Sequence, residues 1–407
     1  FYIFCHIILF IPLCRRKMKP LQWIIAIIAV LIGIRLATQG ETTLSLILKA
    51  YAHRSRYGTL MQGAATAVYK PLIHAVNNDD ESTVPDGPLV GRTVLVTGSN
   101  RGLGSGIVAH LLAGGARLIL PCRNLPTDIP EAQKKIGINA FRAIKEYSNN
   151  IDNDNELISM LYNLSKKNIL FIQMDLASLN SIQTAVDNIQ TILNKKNKID
   201  ILINNAGLIP IRDEKTAEGF ELSFGVNFLG TAAFTKSLKE AGTLRDTGST
   251  IIMVTSEQHR LVSPINDQTP FGTPTKTPSF SNVMERYGYS KLALLTWTYE
   301  LQRKWKDHKI YSICPGPVAS EIARDAPWPL KDFAVTLMSL LFPSPVEAAL
   351  PILRLAVEYQ IPKDYADGIH YHMGQPREGG AGSSELESGK WIWEKTEELL
   401  LTPRAAP

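Results

Sequence analysis

The sequence predicts an α/β fold in which helices cover both faces of a parallel, doubly wound sheet. Short apolar runs rich in β-branched residues recur along the chain, with helical patterns between them. The runs are apolar throughout rather than alternating, which is typical of strands covered on both faces. A glycine-rich turn also joins the first run to a helical pattern. The predicted strands are Thr93–Thr97, Arg117–Cys122, Ile169–Met174, Ile199–Asn204, Thr250–Thr255, Lys309–Cys314 and Gly368–Tyr371.

Composition excludes several classes of protein. The chain has 407 residues, of which 45% are hydrophobic and 20% charged, so it can form a large core and is not a disordered protein. Its net charge is only +5 and no dense basic run is present, so we expect no nucleic-acid partner. The four cysteines, Cys5, Cys14, Cys122 and Cys314, have neither the pattern of a disulfide framework nor metal-ligand spacing. We therefore expect no bound metal.

The N-terminus predicts a membrane anchor. Two apolar stretches, Tyr2–Leu13 and Leu21–Leu36, are separated by basic residues. The second is slightly shorter than the ~20 residues that usually span a bilayer, which fits a short or tilted anchor. A cleaved signal peptide is the alternative, but the residues after Leu36 form a poor cleavage site. Basic residues lie on both sides of this stretch, so its orientation stays open.

Three regions follow from these signals. We expect residues 1–40 to form the anchor region, with residues 1–17, which precede the first methionine Met18, a candidate artefact of the gene model. Residues 41–88 form a juxtamembrane segment and linker that ends in a stretch rich in proline and glycine, and a single domain spans residues 89–407. The polar stretches Asn124–Asn168 and Ser263–Met284 are predicted to be surface insertions.

The glycine-rich turn predicts a dinucleotide site. The strand Val94–Val96 leads into the turn, and the helical pattern begins directly after it. Such a Rossmann-type turn lets the backbone approach a pyrophosphate, which then lies against free N–H groups at the positive end of the helix dipole. The turn consists of Thr97, Gly98, Ser99, Asn100, Arg101, Gly102, Leu103 and Gly104.

The order of motifs resembles the short-chain dehydrogenase/reductase superfamily. Three residues separate the first two glycines of the turn, which is the spacing of that family. Further motifs arrive in family order across residues 91 to about 375: Asp175-Leu176, Asn204-Asn205-Ala206-Gly207, Val226-Asn227, Ser256, Tyr287-Gly288-Tyr289-Ser290-Lys291 and Pro315-Gly316-Pro317-Val318. The segment Asp213–Gly230 is similar to retinol dehydrogenase-like and X-linked-type dehydrogenase/reductase members. The resemblance implies an oxidoreductase that acts on alcohol or carbonyl groups.

Charge at the end of the second strand favours NADP(H). An NAD site of this fold carries a carboxylate near the ribose 2′-hydroxyl, whereas a 2′-phosphate needs cations. Here Arg123 follows the strand and Arg101 lies in the turn. The resemblance further implies that Asp175 and Leu176 border the adenine. It also implies that the backbone of Asn205, Ala206 and Gly207 lines the dinucleotide, together with Pro315, Gly316 and Val318.

A tyrosine and a lysine form the predicted catalytic pair. Tyr287 and Lys291 are four residues apart in a helical pattern, so they share one face. The adjacent ammonium, and the positive nicotinamide ring when the cofactor is oxidised, are expected to stabilise the phenolate, which makes Tyr287 the general acid in reduction and the general base in oxidation. Ser256 ends an apolar strand and can donate to the substrate oxygen. The resemblance implies that Lys291 also binds the nicotinamide ribose and that Asn227 positions a water for proton relay.

We expect an apolar substrate. The apolar segment Val318–Pro345 could form a lid over an apolar pocket or a surface that dips into the bilayer. The alternative is an ordinary helix packed in the core. With the anchor, the apolar segment favours a lipid-like alcohol, ketone or aldehyde. The resemblance implies that this substrate is a retinoid, steroid, polyprenoid or other lipid and that the enzyme lies at the endoplasmic reticulum. The alternatives are a catalytically silent NADP(H)-binding sensor or scaffold and a nucleotide-sugar epimerase. Homo-oligomerisation is left open.

Overall fold

The computed structural model describes residues 61–70, 72–74, 87–147, 153–194, 197–210, 212–266, 280–316, 318, 342–361 and 370–401. All of them belong to one compact unit, Met61–Pro407. The anchor predicted at Leu21–Leu36 and most of the apolar segment Val318–Pro345 lie outside the described residues. Within the described ranges, no helix combines the length and apolar character that a bilayer crossing needs.

The described strands form one sheet in the order β3-β2-β1-β4-β5-β6-β7-β8. Strands β1 to β7 pair in parallel, and β8 pairs antiparallel with β7. The strands are β1 Thr93–Val96, β2 Arg117–Cys122, β3 Ile169–Gln173, β4 Ile201–Asn204, β5 Thr250–Val254, β6 Lys309–Cys314, β7 His370–His372 and β8 Gln375–Arg377. All seven predicted strands are confirmed, each to within 2 residues at either end. The short strand β8 was not predicted.

Helices cover both faces of the sheet, as expected for a doubly wound fold. One face carries α2, α3, α4 and α8, and the other carries α5, α6, α7 and α9. The helices are α1 at 61–70 and 72–74, α2 Gly102–Ala113, α3 Ile129–Tyr147, α4 Asp154–Asn168, α5 Leu179–Leu193, α7 Phe280–Lys304, α8 Pro345–Ala356 and α9 Leu386–Leu401. Helix α6 runs from Leu222–Phe224 through a π-helical turn, Gly225–Gly230, to Thr231–Glu240.

The central strands are buried because their side chains face helices on both sides. Every residue of β1, β4 and β5 is buried. Leu95, Leu202 and Ile251 belong to a core cluster with Ile189 of α5 and Trp297 of α7. The uninterrupted apolar runs of the sequence therefore reflect burial on both faces. Their carboxyl ends form one edge of the sheet, where ligands bind in this architecture.

The predicted insertion Asn124–Asn168 is largely helical. It contains α3 and α4, which pack on each other, and α3 also packs on α2. Ala140, Ala143 and Leu161 are fully buried, whereas the polar residues that suggested an insertion lie mainly on the outer faces. The Asn153 side chain caps α4 by accepting a hydrogen bond from Glu156 N at 3.2 Å.

The segment assigned to a linker contains a packed helix. In α1, Met61, Val68 and Tyr69 are at most 1% exposed. The Tyr69 hydroxyl hydrogen-bonds to Nδ1 of His110 in α2, and Nε2 of His110 donates to the Val346 carbonyl of α8 at 2.8 Å. Burial lowers the pKa of His110 to about 4, so the ring is neutral and can act as both donor and acceptor. The compact unit thus begins before the boundary expected near Leu89.

Gly106 is required by the contact between α2 and α8. A Cβ atom at this position would lie 2.1 Å from the Pro345 carbonyl oxygen. We expect Gly106→Ala to destabilise the protein by roughly 1–3 kcal/mol, because the two helices would have to separate. Gly137→Ala in α3 is the matched control: its Cβ would lie 3.4 Å or more from its neighbours, and alanine favours the helix by up to about 1 kcal/mol. Denaturant unfolding measures both, and equal stability of the two variants would contradict this packing.

Candidate active site

The glycine turn folds tightly against the end of β4. Gly98 has φ +64°, and a Cβ there would lie 2.8 Å from the Ala206 Cα. A Cβ on Gly104 would lie 2.0 Å from the Gly98 carbonyl oxygen. Gly102 has φ +51° with open space beside it, at the first turn of α2. The glycines therefore serve different needs, since two allow close packing and the third permits a left-handed conformation at the helix start.

Hydrogen bonds fix the turn to the strand beside it. The Thr97 hydroxyl accepts from the backbone N–H groups of Asn205 and Ala206 at 3.1 and 3.0 Å. The Asn205 amide donates to the carbonyls of Thr97 and Gly98, both at 3.0 Å. Asn205 thus holds the turn with its side chain, beyond the backbone role expected for it. Thr97 was missed as a functional residue, although its place directly before the first glycine was a signal.

The turn presents groups that suit a phosphorylated ligand. Helix α2 has no acidic residue in its first turn, and Arg101 at its N-cap makes no side-chain cap, so the helix start keeps its positive end. The Ser99 hydroxyl is buried without a nitrogen or oxygen partner among the described residues, and it lies near the Cys122 thiol. Arg101 and Arg123 are exposed. An unpartnered hydroxyl, free N–H groups and two cations fit the dinucleotide predicted here.

Asp175 and Leu176 lie in the loop that follows β3, at the carboxyl edge of the sheet. The Asp175 carboxylate accepts a hydrogen bond from Ala177 N at 2.9 Å. The Asp175 backbone N–H donates to the Ser181 hydroxyl at 3.0 Å. Leu176 is 8% exposed, and its carbonyl oxygen would lie 2.2 Å from a Cβ on Gly230. These contacts fix the loop against α6. Their place beside the adenine stays a prediction.

Ser256, Tyr287 and Lys291 come together at the carboxyl end of β5. Ser256 lies two residues after the end of β5, and Tyr287 and Lys291 lie on α7. The Ser256 side chain approaches the Tyr287 phenol closely enough to counter part of the rise in pKa that burial causes there. Lys291 is 3% exposed, and its Nζ donates to the Val254 carbonyl at 2.9 Å. The same Nζ lies 5.9 Å from the Tyr287 ring centroid and 3.2 Å from where a Cβ on Gly207 would be.

The phenol pKa in the protein alone is set mainly by burial. Burial raises the pKa of Tyr287 to about 12, and the hydrogen bond from Ser256 opposes this only in part. Burial also lowers the pKa of Lys291 to about 8. In the protein alone, burial outweighs the neighbouring ammonium, because desolvation penalises both charged forms.

Asn227 holds the β4 loop against α7. It lies in the π-helical turn of α6 and is fully buried. Its side-chain oxygen accepts from Leu208 N at 2.8 Å, and its amide donates to the Leu208 carbonyl and the Ser290 hydroxyl, both at 3.0 Å. A Cβ on Gly207 would lie 3.5 Å from this oxygen, on the side where Lys291 also approaches. The expected role of Asn227 in positioning a water stays a prediction.

The loop after β6 begins beside β7. Gly316 has φ +82°, and a Cβ there would lie 2.8 Å from Cγ of Met373. Pro315 is buried and Val318 is half-buried, whereas Pro317 lies outside the described residues. The Cys314 thiol accepts from Gly316 N at 3.4 Å, and burial raises its pKa. This loop therefore starts at the same sheet edge as the catalytic group.

A charged cluster next to Ser256 was missed by sequence reasoning. Oε1 of Glu257 lies 3.4 Å from Nε2 of His370 and 3.6 Å from Nδ1 of His372, while Oε2 accepts from Arg260 and Arg377 at 2.8 and 2.7 Å. Potential metal ligands do meet here. The two guanidinium groups already neutralise the carboxylate, however, and oppose a further cation. The contacts of Glu257 with His370, His372 and Arg377 join residues more than 100 positions apart, which no local pattern reveals.

Known proteins resemble this chain in sequence and fold. Residues 139–266 match the short chain dehydrogenase family model. Human retinol dehydrogenase 14 is 31% identical over 279 residues, which cover 66% of this chain and 75% of that protein. Zebrafish (Danio rerio) polyprenol dehydrogenase is 25% identical, covering 75% and 86% of the two chains. A crystal structure of an uncharacterised Mycobacterium paratuberculosis protein, 22% identical, superposes with a TM-score of 0.51 and covers 78% of this chain and 96% of that one, which shows the fold alone.

Proposed function

The chain belongs to the short-chain dehydrogenase family, and from that premise we propose that it is an NADP(H)-dependent oxidoreductase acting on an apolar alcohol, ketone or aldehyde. One observation carries the proposal. The Ser256 side chain lies close enough to the Tyr287 phenol to influence its pKa, and the Lys291 ammonium is buried close by, at the sheet edge that also carries the glycine turn. A proton donor, a hydrogen-bond donor and a cation thus converge where a dinucleotide is expected to lie.

The residues around the turn support a phosphorylated dinucleotide. Its pyrophosphate would be held by the N–H groups of α2 at Gly102–Gly104, and its ribose by Lys291. Arg101, Arg123 and the buried Ser99 hydroxyl would hold the 2′-phosphate that distinguishes NADP(H) from NAD(H). When bound, the nicotinamide gives or accepts the hydride.

Tyr287 moves the proton. With a pKa of about 12, the phenol keeps its proton at neutral pH and can give it to the substrate oxygen during reduction. Ser256 donates a hydrogen bond to the same oxygen as negative charge develops there. Oxidation needs the phenolate, and Lys291, which with a pKa of about 8 is mostly protonated at pH 7, stabilises that charge.

An apolar substrate fits the relatives and the sequence. The names of similar proteins specify retinol and polyprenol, both apolar alcohols. The apolar segment Val318–Pro345 and the stretch Leu21–Leu36 would bring the enzyme to a membrane in which such substrates dissolve, with the endoplasmic reticulum as the proposed location. Because Asn227, Ser256, Tyr287 and Lys291 are all present, we disfavour a catalytically silent sensor.

Tyr287→Phe should abolish turnover while leaving NADPH binding intact, because it removes only the hydroxyl that transfers the proton. Tyr289→Phe, on the same helix but without a lysine four residues later, is the matched control and should keep near-normal activity. Loss of absorbance of the reduced nicotinamide, with retinoid, steroid, polyprenoid and fatty aldehydes as candidate substrates, measures turnover. Fluorescence titration measures NADPH affinity. An active Tyr287→Phe enzyme would defeat the proposed mechanism.

Arg123→Asp should reverse cofactor preference. The substitution removes a cation that would pair with the 2′-phosphate and adds a carboxylate that suits a ribose 2′-hydroxyl. We expect kcat/KM for NADPH to fall roughly tenfold or more while that for NADH rises, since a charge-assisted hydrogen bond contributes about 1.5–3 kcal/mol. Arg117→Asp, an exposed arginine at the opposite end of β2, controls for the change in charge. An unchanged ratio in Arg123→Asp would show that Arg123 does not contact the phosphate.

A further inference from the structure

His259 is a buried histidine in the short turn that follows Ser256. This short 3-10 turn, Glu257–Leu261, has Ser256 as its N-cap. The His259 ring is 0% exposed, and its Nδ1 lies 2.6 Å from the Ser256 carbonyl oxygen. Its Nε2 lies 3.0 Å from the backbone N of Gly380. The mechanism above leaves both contacts without a role.

The two contacts fix the tautomer of the ring. A carbonyl can only accept a hydrogen bond and a backbone N–H can only donate one, so Nδ1 carries the proton and Nε2 is bare. Burial lowers the pKa of His259 to about 4, which keeps the ring neutral at neutral pH. His259 is therefore a fixed bridge between the Ser256 backbone and Gly380.

Gly380 belongs to a hairpin segment, residues 370–383, formed by β7, β8 and the loop after them. Glu257 binds this segment through the Arg377 guanidinium at 2.7 Å and lies 3.4 Å from the buried His370 ring. The His370 ring also packs edge-to-face on His259, with 5.4 Å between ring centroids. The hairpin segment thus contacts the serine turn through several polar groups.

The hairpin segment also contacts the helix that carries the tyrosine. Tyr299, three turns after Tyr287 on α7, packs against Gly379, where a Cβ would lie 3.0 Å from the Tyr299 hydroxyl oxygen. One segment therefore contacts both the turn that holds Ser256 and the helix that holds Tyr287.

Ser256 needs such support because its own turn holds its hydroxyl weakly. Ser256 is extended, with φ −153° and ψ 143°. Its hydroxyl accepts from Gln258 N only at 3.4 Å, a long hydrogen bond. The backbone carbonyl, held by His259, is the better fixed end of the residue.

We propose that His259 is a positioning residue for Ser256: it anchors the serine backbone to the hairpin segment, so that the hydroxyl stays beside that of Tyr287. This rests on the proposed function, in which Ser256 donates to the substrate oxygen. The bond from Nδ1 fixes the backbone carbonyl of Ser256, and the bond at Nε2 attaches the His259 ring to the hairpin segment at Gly380.

Three substitutions separate the two bonds. His259→Asn keeps a donor where Nδ1 lies, His259→Gln places a polar group where Nε2 lies, and His259→Leu provides neither. We expect His259→Leu to lower kcat by roughly 10- to 100-fold, the order of effect of a small misplacement of a reacting group. KM for substrate and NADPH affinity should stay within about twofold, because uniform binding is not affected. His259→Asn should recover most of kcat, and His259→Gln should not.

A double-mutant cycle with Ser256→Ala distinguishes positioning from a general structural role. If His259 acts through Ser256, His259→Leu should cause no further loss of kcat in the Ser256→Ala background. Additive losses would overturn the proposal, as would an unchanged kcat in His259→Leu alone. Should His259→Leu fail to fold, the comparison of His259→Asn with His259→Gln decides. A kcat at least tenfold higher in Asn supports the proposal, and equal values overturn it. Full activity in Ser256→Ala would instead refute the proposed function.

Discussion

The candidate site depends on the hydrogen bond that the buried Lys291 ammonium makes to the end of β5. The Lys291 Nζ donates to the Val254 carbonyl at 2.9 Å, which joins α7 to the carboxyl end of β5. That bond fixes the part of α7 one turn earlier, so the Tyr287 hydroxyl meets Ser256 at the end of the same strand. Burying an ammonium is costly unless it is bonded, and burial accordingly lowers the pKa of Lys291 to about 8. The same low-dielectric surroundings strengthen its influence on any charge that forms on the phenol.

The backbone of the loop after β4 can approach Lys291 closely because the loop has a glycine there. Gly207 leaves space for the lysine, since a Cβ there would lie 3.2 Å from Nζ. Asn227 holds the adjoining loop at Leu208 and ties it to α7 through Ser290. The Gly98 turn is bonded to this same loop through Asn205, so the dinucleotide-binding turn and the catalytic helix share one support. Shifts in the loop should therefore affect cofactor binding and proton transfer together.

Local pattern was enough to predict the strands and the residues that meet at the candidate site. Strands buried on both faces have unmistakable apolar runs, and the pair Tyr287 and Lys291 is a matter of helical spacing. Contacts between distant segments could not be predicted from local sequence patterns. The bonds of Glu257 to Arg377 and of His259 to Gly380 form only after the chain folds. Polar composition suggested an insertion at Asn124–Asn168 because amphipathic helices with small buried residues such as Ala140 carry a weak apolar signal. The direction of the phenol pKa depends on burial, which no sequence spacing gives.

The pH dependence of alcohol oxidation tests the central role of Lys291 most directly. In the enzyme–substrate complex, the pH profile of kcat reports the ionisation of the group that accepts the proton. If Lys291 stabilises the phenolate, the wild-type profile should rise with an apparent pKa well below the value of about 12 for Tyr287 in the protein alone. In Lys291→Met, which keeps the length of the side chain and removes the charge, the rise should move to higher pH. An identical profile in the two enzymes would contradict the stabilisation of the Tyr287 phenolate by Lys291.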